Sequence, residues 1–141
     1  MASILVVTGC VSLATDDEDA QAKTFVVAPD KASIYLYRDV FFGGGVIATV
    51  NLDGRPAGAM RGKTFFLWVV EPGPHVIDVT NENPLVGNHD LVAGATHLTV
   101  EAGKNYYIWH EIDFGGNRLY RVDEKIGRHG VLRCNRLEQT F

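Results

Sequence analysis

The run Lys63–Val70 constrains the fold more than any other stretch. Phe65, Leu67 and Val69 fall on one side of an extended chain, and Phe66, Trp68 and Val70 on the other. A strand apolar on both faces needs cover on both faces, which predicts a central position in a sheet. Turn signals bracket it. Asp53-Gly54 favours a tight hairpin, because Gly and, less readily, Asp accept positive φ. Pro72-Gly73 fits a type II turn. Upstream, Val46–Leu52 alternates with period two and reads as a strand. Pro56 and Gly58 limit the regularity of the arm that follows. His75–Thr80 alternates again, but Val76 and Val79 fall out of phase, which leaves its inward face open.

The same period recurs along the chain. Phe25–Ala28 is expected as a short strand. Ala32–Arg38 places Ala32, Ile34 and Leu36 inward and Ser33, Tyr35 and Tyr37 on the other face. His89–Val92 is a possible edge strand and Ala95–Glu101 a further one. Tyr106–Asp113 carries Tyr107 and Trp109 on one face and Tyr106 and Ile108 on the other. Asn117–Val122 is expected to be extended and Asp123–Gly127 to form one helical turn. Signals conflict over Val131–Cys134. With 15 glycines among 141 residues and many β-branched and aromatic positions, the expectation is all-β: an antiparallel β-sandwich, Ig-like or PEGA-like, with at most one short C-terminal helix. Phe65, Leu67, Val69, Ile34, Leu36 and Ile108 are expected to share one core.

The N-terminus bears on cellular address. Val7-Thr8-Gly9-Cys10 resembles a bacterial lipobox, with small residues ahead of a Cys that takes the lipid. The apolar segment before it is short and carries no Lys or Arg. The reading is a signal remnant at 1–9, lipid attachment at Cys10, an acidic tether at 10–22 and a sandwich domain at 23–141. That places the protein in the bacterial envelope, membrane-anchored and facing the periplasm from the outer membrane. Asp16, Asp17, Glu18 and Asp19 hold four of the 17 acids. The remaining 13 balance the 13 Lys and Arg residues, so bulk charge gives no reason to expect nucleic acid as a partner. The acidic run reads as solvated spacer. If Cys10 is acylated, Cys134 stands alone as a small buried residue. If not, a Cys10–Cys134 disulfide is open in an oxidising compartment.

The sequence holds no complete catalytic motif. Gly62-Lys63-Thr64 lacks the earlier Gly of a phosphate loop, since Ala57 stands there, and it leads into a strand instead of a helix. Asp113-Phe114-Gly115 is an isolated tripeptide with no other kinase element. A hairpin turned at Gly94 would bring His89, Asp90 and His97 together, but no metal-binding spacing accompanies them. His110 and Glu111 point to opposite faces. Neither metal nor cofactor is expected. Two loops echo each other: Phe41-Phe42-Gly43-Gly44 follows the Tyr35/Tyr37 strand, and Phe114-Gly115-Gly116 follows the Tyr107/Trp109 strand. Phe41, Phe42 and Phe114 are therefore candidates for an exposed partner-binding patch. If strands reverse in turn and His89–Val92 is one of them, the two loops share one end of the sandwich.

The runs Lys23–Phe25 (KTF), Pro29–Asp39 (PDKASIYLYRD), Asn51–Met60 (NLDGRPAGAM), Phe65–Val79 (FFLWVVEPGPHVIDV), Glu101–Ile112 (EAGKNYYIWHEI) and Arg121–Cys134 (RVDEKIGRHGVLRC) together resemble, over roughly residues 23–135, an uncharacterised bacterial family of lipoprotein-like chains, DUF2846. The Leu-Asp-Gly and Glu-Pro-Gly-Pro-His turns also look like those of PEGA-type surface modules. Both resemblances imply a sandwich in an extracytoplasmic setting, and neither supplies catalytic residues. The functional expectation is a non-enzymatic binding or structural module with an envelope protein or glycan as partner. The alternative is a small periplasmic hydrolase or metal-dependent enzyme.

Overall fold

The computed structural model describes residues 11–40, 47–81, 94–113 and 116–141. Its core is a two-sheet sandwich. The strands are β1 (Ala32–Arg38), β2 (Ala48–Leu52), β3 (Arg55–Met60), β4 (Thr64–Val70), β5 (Gly73–Asn81), β6 (Gly94–Val100), β7 (Asn105–Asp113), β8 (Gly116–Val122) and β9 (Asn135–Arg136). One sheet has the order β8-β7-β1-β4-β9 and the other β3-β2-β5-β6. Helices α1 (Asp16–Ala22) and α2 (Glu124–Leu132) are the α-helices among the described residues.

The sandwich is largely antiparallel, with two exceptions: β1 pairs β7 in parallel, and β4 pairs β9 in parallel. The first has a consequence for the echoing loops. Five strands separate β1 from β7 in the chain, so regular reversal brings their C-terminal ends to the same pole. The strand that supplies the needed reversal is β3, whose Pro56 and Gly58 had suggested only an irregular arm. It tolerates both as an edge strand. Gly58 has φ +143°, and a Cβ there would sit 3.4 Å from the Phe66 ring. The expected strand His89–Val92 lies outside the described residues.

Between the sheets, Ile34, Leu36, Val50, Leu52, Ile77, Val79, Tyr106 and Ile108 form the main core together with Phe66 and Trp68. Even-numbered β4 residues thus face the opposite sheet, which corrects the expected phase. Phe65 belongs to a second buried cluster on the outer face of the five-stranded sheet, with Leu67 packed against it. Val69 is 62% exposed. The middle strand of the five is β1; β4 lies beside it, between β1 and β9, covered on one face through Phe66 and Trp68 and on the other through Phe65 and Leu67. Every β1 residue is buried because Ile34 and Leu36 face the sandwich while Tyr35 and Tyr37 face the second cluster. That cluster exists because helices cover the outer face, a layer not expected from the strand pattern. Ile77 and Val79 settle the inward face of β5.

One of the two expected turns forms. Asp53 and Gly54 have φ 52° and 77°, the paired positive values of a hairpin turn whose twist suits the flanking strands. Pro72-Gly73, expected as a type II turn, is instead a bend at Pro72, with Gly73 at φ 125° as the first residue of β5, and it carries the chain from one sheet to the other. Phe25–Ala28 is not a strand. Phe25 takes φ 56°, unusual for a bulky side chain, and thereby buries its ring against Tyr35 and Tyr107 at centroid distances of 5.4 and 6.1 Å.

Residues 11–22, expected as a tether, carry defined structure. Thr15 caps α1 in a capping box with Glu18, so the acidic run is the solvated first turn of a helix. Ala14 N donates to Arg136 O, Glu138 N donates to Ser12 O (both 2.9 Å), and Leu13 bridges Leu137 in antiparallel pairing. Val11 packs against the main core. The Tyr35 hydroxyl donates to Ala22 O at 2.8 Å.

Candidate binding groove

The groove is made by how α2 sits on the sheet. Asp123 caps the helix, its Oδ1 accepting from Ile126 N at 2.9 Å. Arg128 pairs with Glu124 one turn earlier at 2.5 Å. Gly127 and Gly130 face the sheet. A Cβ on Gly127 would fall 2.2 Å from Tyr107 Cγ, and one on Gly130 would fall 2.1 Å from Tyr37 Cε2. The helix backbone therefore rests directly on two tyrosine rings, with Val131 and Cys134 buried beside them. Burial pushes the Cys134 thiol up to about 12.

So close a seat leaves Ile126 and Leu132 each 55% exposed. Across from them, Trp109 and Tyr120 form a cross-strand pair, stacked with centroids 5.5 Å apart. Trp109 Nε1 donates to Asp39 Oδ1 at 3.1 Å, which fixes the indole, and Arg133 reaches Asp39 at 3.7 Å. An open groove of about 940 Å³ runs between these walls, with Tyr37, Val40, Trp109, Ile126, His129 and Leu132 among its lining. Its floor is largely apolar, and Asp39, Asp123, Lys125 and Arg128 give it a rim of mixed charge.

Two polar arrangements lie elsewhere. At the β1 C-terminal pole, His110 is buried and its Nε2 donates to Asn117 Oδ1 at 2.8 Å. Burial pushes its pKa down to about 4, and the Arg38 charge acts in the same direction. Arg38 is itself buried, donates to Met60 O at 3.4 Å, and is lowered to about 10 by burial. This cluster is enclosed, and at neutral pH it joins a neutral imidazole to a charged guanidinium. At the opposite pole, His75 Nδ1 meets Asp53 Oδ2 at 2.6 Å and His75 Nε2 meets Glu71 O at 2.7 Å. These contacts tie the β2–β3 turn to the β4–β5 crossover. His97 is exposed beside them, lining a shallow hollow of about 270 Å³. Among the described residues no three His, Cys, Asp or Glu side chains are grouped to hold a metal.

The sequence-predicted positions Cys10, Phe41, Phe42 and Phe114 lie outside the described residues, as do His89 and Asp90. The flanking strands β1 and β7 end at the same pole. What sequence reasoning missed is α2 as a groove wall. Its signals were present: Asp123 ahead of Glu124, and Glu124 four residues before Arg128. The two glycines hid the helix, since Gly is a poor helix former.

Fold and groove define a class: a small β-sandwich with helices docked on one outer face and an apolar groove at the helix margin. The chain belongs to the family described as protein of unknown function, DUF2846, whose model matches residues 28–123. It is also similar to an uncharacterized protein of Haemophilus influenzae, 29% identical over 141 residues that span 96% of this chain and 79% of that protein.

Proposed function

We propose that this protein is a non-enzymatic module of the bacterial cell envelope, anchored by lipid at Cys10, that binds a protein partner in the groove beside α2. The observation that carries the reading is the groove itself. Exposed Ile126 and Leu132 share an open, largely apolar groove with Trp109, whose ring is stacked on Tyr120. Contiguous exposed apolar surface of this kind marks interaction sites. The mixed-charge rim suits a peptide segment that presents apolar side chains between polar ones, since rim charges select register while the apolar floor supplies most of the affinity. The lipobox Val7-Thr8-Gly9-Cys10 supports the anchor.

The test is site-specific photo-crosslinking in cells of the source bacterium. A photoreactive amino acid at Leu132 is expected to give a discrete protein adduct that Ile126→Asp abolishes while the variant stays folded. Absence of any discrete adduct from Leu132, Tyr120 and Lys125 alike overturns the groove as a partner site.

A further inference from the structure

We infer that the protein stands on its membrane at the pole carrying Arg55, Glu71 and Phe141, with the α2 groove facing away from the bilayer. The inference rests on the anchor proposed above and adds an orientation to it.

Residues 11–14 clasp the C-terminal segment. Val11 packs against the main core, Ser12 O accepts from Glu138 N, and Leu13 bridges Leu137. Val11, the residue after Cys10, is therefore already packed on the fold. Consecutive Cα atoms are ~3.8 Å apart, so a lipid on Cys10 has no spacer with which to distance the domain from the bilayer.

Chain direction then selects the pole. β9 runs parallel to β4, and the clasp runs antiparallel to the segment that continues from β9. Traced backward from Ala14 to Val11, the chain heads toward the end where β4 finishes at Val70. Val70 pairs with Ala32, the first residue of β1. The same pole holds the Asp53 turn, tied to Glu71 through His75. It also holds the C-terminus: Thr140 N donates to Ala57 O at 3.1 Å, and Phe141 stacks on the Arg55 guanidinium at 4.1 Å.

The exposed large apolar residues divide accordingly. Val40, Ile126 and Leu132 line the groove, and Tyr120 stacks on Trp109 of its lining. Leu13, Val26, Val69 and Phe141 do not. Leu13 is in the clasp, and Phe141 is at the pole. Val69 pairs with Ser33, which pairs with Asn105. Asn105 Nδ2 donates to Phe25 O at 2.7 Å, which brings Val26, 80% exposed, to that same row. Apolar side chains with an arginine stacked on an aromatic ring suit a headgroup boundary, where the ring meets acyl chains and the cation meets phosphate. Tyr37, Asp39 and Trp109 of the groove lie at the other end of β1 and β7. A strand such as β1 spans roughly 20 Å at ~3.3 Å per residue, so the two surfaces are well separated.

The test uses the full chain, processed in cells and reconstituted in vesicles of phosphatidylethanolamine and phosphatidylglycerol. Two variants, Glu71→Cys and Lys125→Cys, each carry one exposed thiol for a fluorescent probe, and buried Cys134 stays unlabelled. Circular dichroism checks that both are folded. Energy transfer to headgroup-labelled lipid is expected to be several-fold stronger from position 71 than from position 125. Equal or reversed transfer on protein shown by mass to be acylated overturns the orientation and leaves the anchor standing. A mass showing unmodified Cys10 overturns both.

Discussion

Substituting Gly130 by Ala tests how α2 makes the groove. An Ala Cβ would stand 2.1 Å from Tyr37 Cε2, where ordinary contact begins at 3.4 Å. Something must move by the difference, 3.4 − 2.1 = 1.3 Å. Tyr37 is packed in the second cluster with Phe65 and Val131, and its ring also borders the groove. Either the ring is pushed toward the groove or the helix lifts, and both open the packing around Val131 and Cys134. Overpacking of this kind costs about 1–3 kcal/mol, and Ala recovers up to about 1 kcal/mol of helix propensity. With the full propensity gain, the expected net loss is about 0–2 kcal/mol. Gly127→Ala meets Tyr107 at 2.2 Å and is expected to cost a similar amount. One lift relieves both clashes, so the double variant is expected to lose less than the sum of the singles. Urea unfolding followed by tryptophan fluorescence reads the change as a lowered midpoint at unchanged slope. A raised midpoint for Gly130→Ala, the result for a glycine in an exposed helix, refutes the close seat.

Two further predictions follow from the interior. His110 is buried neutral, with its folded pKa near 4 against 6.5 for the free group; the depressed value means the unfolded chain binds the proton more readily. Its contribution is complete above about pH 6.5 and lost as pH falls toward 4, about 3 kcal/mol in all by linkage; denaturation midpoints across that range should fall less steeply in His110→Gln. In β4, Trp68→Ala is expected to cost about 3–5 kcal/mol and Val69→Ala under about 0.5 kcal/mol; similar losses at the two positions would show that the strand's phase is misassigned.

Much of the strand pattern was legible in the sequence because local chemistry decides it. Asp53-Gly54 dictates its own turn, and the alternation of Ile34 with Tyr35, or Ile108 with Trp109, fixes which side chains share a face. The phase of β4 was not legible. With Phe, Leu, Trp and Val on both sides, nothing local says which set meets the second sheet. Nor did the pattern show that Tyr35 and Tyr37 would be buried as deeply as Ile34 and Leu36. That depends on α1 and α2 docking from far along the chain, through contacts such as Tyr35 with Ala22 and Tyr37 with Gly130. Phe25 was misread because its positive φ is imposed by the cavity between Tyr35 and Tyr107, and no propensity predicts it. The groove was illegible for the same reason: Val40, Trp109 and Ile126 meet only in the folded chain.

The anchored-module account is tested most directly by the mass of the protein recovered from envelopes of the source bacterium after expression from its native start site. The account predicts a membrane-bound species that lacks residues 1–9 and carries diacylglyceryl on Cys10, and it predicts that Cys10→Ser releases the protein to the soluble fraction. A soluble native protein that retains Met1 and an unmodified Cys10 would contradict it.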